Sequence, residues 1–280
     1  MMSEIMQATT ASSGRRAAPS APLRARAALS AEWIKLRSLR SMLVTPALAA
    51  VICIGYADFL CWRFTQRWHT FDAANKAGFN PLDTNFNVLV IGVLFFGVLG
   101  ALVVTNEYGN GLIRTTLAAT PQRGLVLAAK TALLVLIALA TSAVICFAAF
   151  FSGQYMLSSG HAPHVTLTDP GVLGHLLGGV YYLTATGALG LFIGVLARST
   201  AAAMTCVFAV LLVLTILVDK LPHTAVWQHT APYLPANLGT ELYRSHVDGL
   251  TSTAVAVVLL PVYAVVLGAL AAFALRRRDA

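Results

Sequence analysis

Charge is scarce in this sequence. Of its 280 residues only 11% are Asp, Glu, Lys or Arg, while 58% are hydrophobic; ordinary globular chains carry about 25% charged and about 45 to 50% apolar residues. That balance excludes a water-soluble domain with a normal polar surface. The few charges cluster between long apolar runs, and a bilayer core needs about 20 apolar residues per crossing helix. The composition predicts an all-α polytopic membrane protein.

Other scarcities narrow the chemistry. The four cysteines, Cys53, Cys61, Cys146 and Cys206, all lie in apolar runs and form no Cys-x-x-Cys pair, so they read as small apolar fillers rather than as a disulfide framework or thiolate metal site. The span middles lack Lys, Arg and Glu, which excludes the ion-pair relays of gradient-driven transporters. No His-Glu-x-x-His is present, nor any nucleophile and base at matching depth. His161 and His164 form His-x-x-His with Asp169 as the nearest carboxylate, and read as a solvated loop, with no metal expected; His175, close by, reads as a histidine bonded to water or backbone. A phosphate-binding loop needs Gly-x-x-x-x-Gly-Lys-Ser/Thr after a strand. The nearest approach, Gly124 to Thr131, has Ala129 at the second glycine and leads into an apolar run. The chain is therefore expected to bind no cofactor. Lys and Arg give a net charge of +8, but they stand at the ends of apolar segments, as topology signals do, so nucleic acid is not an expected partner.

Residues 1–28 are rich in Ala, Ser, Pro and Arg without apolar periodicity and read as a disordered cytoplasmic tail. Residues 29–280 form the membrane domain. From Leu29 to Arg40, Leu29, Trp33 and Leu36 recur at helical spacing among Glu32, Lys35, Arg37 and Arg40; this is either an interfacial helix with Trp33 at headgroup level or a charged flank of the first span. Six spans follow, at about 42–62, 86–105, 131–151, 171–197, 201–218 and 253–275. Pro46 falls in the first turn or so of its span, and Asp58 one turn from the outer end, where a carboxylate reaches water. A polar loop occupies 63–85. Gly92, Gly97 and Gly100 in the second span, and Gly174, Gly178, Gly187, Gly190 and Gly194 in the fourth, allow close helix approach. Residues 219–252, with Pro222, Pro232 and Pro235, are too structured in composition for a plain linker and are read as dipping back into the interface. Pro261 marks a kink in the last span.

Counting Lys and Arg by side under this layout gives 14 against 5. The richer side is cytoplasmic, which places both termini there together with the polar stretch between the second and third spans.

That stretch, Asn106 to Lys130, carries Glu107, Gly111, Leu117 and Pro121 as Glu-x-x-x-Gly-x-x-x-x-x-Leu-x-x-x-Pro, followed by Arg123 and Lys130. It resembles the cytoplasmic loop of permease subunits of type 2 ATP-binding-cassette (ABC) exporters. Residues 32–41, Glu-Trp-Ile-Lys-Leu-Arg-Ser-Leu-Arg-Ser, resemble the entry to the first span in actinobacterial-type members, and Pro232-Tyr233-Leu234-Pro235-Ala236-Asn237 resembles their last external loop. Where many relatives have Gly-Lys, this chain has Ala129-Lys130.

The resemblance implies a permease in the cell membrane that pairs with a second permease subunit, identical or not. Beneath it two copies of a separate ATPase subunit use the ATP, and membrane lipids surround it. A coupling helix in the stretch would use Glu107, Tyr108, Gly111, Arg114, Leu117 and Pro121, with Glu107 and Arg114 available to the ATPase. Phe95, Phe96, Phe208 and Thr215 would line a path for an amphipathic or hydrophobic compound. From the residues alone, Leu112, Ile113, Thr116 and Leu117 make a weakly apolar helical face. Such a face fits a docking helix or a solvated interfacial helix separating two spans, and the whole chain fits a transport subunit or a non-transporting membrane scaffold or sensor.

Overall fold

The computed structural model describes residues 21–38, 40–112, 123–214, 216, 229–245 and 252–277, and every regular element among them is helical. In chain order these are α1 (Ala21–Ser38), α2 (Arg40–Arg67), α3 (Ala73–Ala77), α4 (Pro81–Phe86), α5 (Leu89–Gly109), α6 (Arg123–Ser159), α7 (Val172–Ala197), α8 (Thr200–Phe208), α9 (Pro235–Tyr243) and α10 (Thr253–Arg277). Among the described residues, five helical stretches are long and apolar enough to cross a membrane: Met42–Thr70, Pro81–Gly109, Arg123–Ser159, Val172–Ala197 and Thr253–Arg277. The expected fifth span is represented by a shorter apolar helix, Thr200–Val213, whose last five residues are π-helical; Thr215 and residues 217–218 lie outside the described residues.

Several boundaries differ from the hydropathy reading because helices do not stop where apolar residues do. α1 begins at Ala21, inside the stretch expected to be a disordered tail, while residues 1–20 lie outside the described residues. α2 runs on to Arg67, so Asp58 is more than two turns from its end, and its Oδ1 is buried with no hydrogen-bond partner among the described groups. Pro46 is correspondingly deeper, in the second turn. α6 has 37 residues, about 55 Å at the helical rise, and is longer than a hydrocarbon core of about 30 Å requires.

The expected polar loop 63–85 is a folded cap. Asp72 accepts the Asn75 N–H at 2.8 Å to start α3. Asn80 accepts the N–H groups of Leu82 and Asp83 at 2.9 and 3.1 Å to start α4, with Pro81 at its first position. Phe64, Trp68, Phe71 and Phe79 pack together over it, and Phe64, Phe71 and Phe79 with residues of α3 and α4 and Arg244 border an open cavity of about 670 Å³.

α5 and α7 form the interior and are joined by a seam of glycines. A methyl at Gly100 would be driven into the Gly187 carbonyl, and one at Gly190 into that of Gly97, so the two backbones touch. Around the seam, Ser142 of α6 reaches the Val180 carbonyl and the Thr184 hydroxyl of α7 at 3.3 and 3.2 Å. α9 folds back onto the first turns of α7: Gly178 lies against the Leu242 carbonyl, Gly239 against the Tyr182 ring, and Tyr182 stacks on Tyr243 at 6.0 Å. α2 and α10 flank this core, with exposed Val51, Leu43, Val258 and Val265 directed outward. α10 continues as one helix through Pro261. Cys53, Cys61 and Cys146 are buried fillers as expected, whereas Cys206 is exposed.

The seam generates a stability test. Gly100→Ala and Gly190→Ala each force α5 and α7 apart and are expected to cost at least about 1–3 kcal/mol. Gly55→Ala, with nothing within 4 Å of the added methyl, should be neutral or slightly stabilising. Thermal unfolding of the purified protein in detergent measures all three.

Candidate functional site: a buried charge cluster at one end of the bundle

α5 ends with a polar turn, Thr105-Asn106-Glu107-Tyr108-Gly109, and α6 begins with Arg123 and reaches Lys130 two turns later. The helical periodicity of α5 that points Val103 and Val104 inward does the same for Glu107, which is only 4% exposed. Lys130 is equally enclosed at 3%. Its Nζ lies 2.6 Å from Glu107 Oε1 and 2.5 Å from Glu32 Oε2. Glu32 is on α1, itself buried, and is held there because Leu36 one turn later packs into the apolar cluster of Leu99, Val103, Leu127 and Leu134. Lys35 closes the arrangement, 2.9 Å from Glu32 and 3.5 Å from Glu107. Two carboxylates and two ammonium groups from three helices thus form a neutral cluster.

Burial decides which contacts matter. Lys35 is about one-third exposed, so its pairing is screened by water and contributes little, in the range of about 0–1 kcal/mol. Lys130 is enclosed with both partners, and removing one member of such a set leaves a charge stranded in a poor solvent. Glu107 Oε2 accepts no hydrogen bond among the described groups, so the carboxylate is tied through one oxygen. Beside the cluster, the Arg123 guanidinium donates to the Leu275 carbonyl at 2.5 Å, satisfying one of the carbonyls that a helix end leaves open and fixing the end of α10 against the start of α6. Arg198, which ends α7, lies over the Tyr108 ring at 5.7 Å.

A family model matches residues 44–280 and bears the description "Protein of unknown function (DUF2705)". The chain belongs to that family. The matched residues of this DUF2705 chain include Glu107 and Lys130, while Glu32 and Lys35 precede them. Compared with curated proteins, the chain matches none.

Of the residues expected to couple to a partner, Glu107 is buried and paired with Lys130. Tyr108 is half-buried beneath Arg198. Gly111 is exposed with φ +67, a left-handed turn that glycine adopts without strain just past the end of α5. Arg114, Leu117 and Pro121, with Ile113 and Thr116, lie outside the described residues. The expected polar interruption is thus helical at both ends, to Gly109 and from Arg123.

Of the residues expected to line a path, Phe96 is 1% exposed in the core beside the glycine seam. Phe95 is partly buried at the core's edge, Phe208 is exposed on α8, and Thr215 lies outside the described residues. His161 and His164 are exposed, with His161 in a left-handed turn at φ 56, and His175 is half-buried at the start of α7.

Lys130 and Glu32 are the functional candidates that pattern reading missed, since each looked like a flank charge. A signal existed: Glu32 and Glu107 are lone acids in otherwise basic stretches, and a lone acid at a membrane boundary needs a partner.

Replacing Lys130 by Met strands two buried carboxylates and should cost roughly 3–5 kcal/mol. The triple replacement Glu32→Leu, Glu107→Leu, Lys130→Met removes the charges together and should restore stability to about the wild-type level or above. Thermal unfolding in detergent distinguishes the two outcomes, and a triple variant no more stable than Lys130→Met would show that the cluster is not the cause.

Proposed function

We propose that this chain is the membrane-spanning permease subunit of an ABC exporter. In this reading it has six spans with both termini cytoplasmic, lies in the cell membrane, pairs with a second permease subunit, and forms a path for an amphipathic or hydrophobic compound such as a drug, an antibiotic or a lipid-like molecule. The chain itself performs no hydrolysis; two copies of a separate ATPase subunit consume the ATP.

One observation supports this reading most. The two helices that bracket residues 113–122 are locked to each other and to α1 by Glu107, Lys130 and Glu32. A push delivered to that segment by a soluble partner would therefore displace α5, α6 and α1 as one unit, and the glycine seam would pass the motion of α5 to α7. Glu107 then serves by transmitting force, while Tyr108, Gly111, Arg114, Leu117 and Pro121 are left to meet the partner. The Lys and Arg asymmetry supports placing this end in the cytoplasm. The resemblance of residues 106–130 to the type 2 exporter loop agrees with both.

A transport subunit copurifies with an ATPase and changes its ATP turnover. The triple variant Glu32→Leu, Glu107→Leu, Lys130→Met should keep the assembly but lower transport-coupled turnover by about tenfold, the scale of a typical coupling free energy. Absence of any associated ATPase, with unchanged efflux from cells lacking the chain, would leave the scaffold reading standing instead.

A further inference from the structure

We propose that the open cavity of about 670 Å³, at the end of the bundle opposite the charge cluster, binds a sugar ring through the polar side chains and phenylalanine rings that line it together. Asn87 in its wall stands just before α5 and Glu107 in the last turn of α5, so the length of that helix, about 30 Å, separates the two sites. The inference rests neither on the transport reading nor on which side of the membrane this end faces.

The cavity is held open by bonds that do not involve a ligand. The Asn80 amide donates to the Ser245 hydroxyl at 2.5 Å, and Asp83 Oδ1 accepts the Ser245 N–H and hydroxyl at 2.8 and 3.2 Å. These bonds tie the cap to the chain just after α9, across 165 and 162 residues. The site is therefore formed in advance, and its volume falls within the range of about 300–1,000 Å³ usual for small molecules. Phe64 meets Phe71 edge to face at 5.9 Å and Phe79 at 5.2 Å, and all three rings line the space. Asn75, Asp83, Asn87 and Arg244 line it with them.

These side chains make distinct demands on an occupant. A carboxylate only accepts hydrogen bonds, a guanidinium only donates them, and an amide does both. Both bonds from Ser245 fall on Oδ1 of Asp83, which leaves Oδ2 for another donor. Asn75 and Asn87 are exposed, and Asn75 holds the cap through its backbone N–H rather than its amide. A hydroxyl both donates and accepts, so the adjoining hydroxyls of a sugar match all three kinds of group at once. Asp83 and Arg244 carry opposite charges in one wall, so a simple anion or cation meets a like charge there. A purely apolar molecule would strip water from the polar groups and return no hydrogen bond. The rings select in addition for a C–H face: the face of a phenyl ring is negative, and the C–H bonds of a pyranose turn their positive ends toward it. A neutral ring with hydroxyls at its edge and C–H bonds on its face meets both demands.

The probe is maltose, with the full chain held in a polyoxyethylene detergent so that no other sugar is present. Saturation-transfer NMR should carry magnetisation from the protein to the maltose ring protons. Sorbitol, a polyol without a ring or a fixed C–H face, should receive little. Asn75→Ala and Asn87→Ala keep the backbone bonds of the cap, and each should lower maltose affinity by about three- to tenfold. Gly78→Leu adds a side chain at a lining position where a Cβ meets only the Ala74 carbonyl, at 3.6 Å, so the fold is kept while the cavity fills and the response is lost. Dodecyl maltoside then distinguishes the source of the ring. Binding tighter than that of maltose assigns it to a membrane-held glycoside, equal or weaker binding to a free sugar, and either upholds the site. The proposal is overturned if maltose receives no saturation, if sorbitol receives as much, or if maltose affinity is unchanged in both asparagine variants.

Discussion

An ammonium group enclosed between two carboxylates in an apolar surround is the constraint on which the charged end of this bundle depends. Lys130, Glu32 and Glu107 come from three helices far apart in sequence, and none of the three can be left buried without the others. The cluster is therefore less a source of net stability than a condition on geometry. It fixes where α1 lies, how far α5 runs before it turns, and at what depth α6 begins. Because buried ion sets break even at best against apolar packing, their presence points to a requirement for register between these helices rather than for tighter folding.

The second constraint is steric. Lipid offers apolar side chains no advantage in leaving it for one another, so helices in a membrane associate through close van der Waals contact and polar bonds. The glycines of α5 and α7 supply the first, bringing backbone against backbone at Gly100 with Gly187 and at Gly190 with Gly97. Ser142 and Thr184 supply the second at the same interface with α6. Together the seam and the charge cluster make α5, α6 and α7 a connected core, with α2 and α10 packed outside it and presenting Val51 and Val265 outward.

Much of the fold was legible because hydrophobic runs are a one-dimensional signal. Helix type and the existence of five long apolar spans follow from run length and composition. Span ends did not follow, because α2 and α6 continue through polar residues such as Arg63 and Gln154 that hydropathy assigns to loops. Helical hydrogen bonding continues there because each added residue contributes its own bond once a helix is established. The site was legible in part. Glu107 stood out as an acid in a basic stretch, but its burial did not, since the periodicity that buries it belongs to α5 and not to the polar stretch. The burial of Phe96 was not legible either: an aromatic residue facing a glycine seam and one facing a path look alike in sequence.

By itself, the sequence determined that the chain is helical, apolar and asymmetric in positive charge, because those properties depend on composition and local order alone. Tertiary structure alone decided that Glu32 would meet Lys130 across 98 residues, that Arg198 would lie over Tyr108, and that two glycine rows would face each other. Each of those outcomes depends on the rotation of one helix about its axis relative to another. That rotation is set by the packing of whole surfaces, and no short segment carries it.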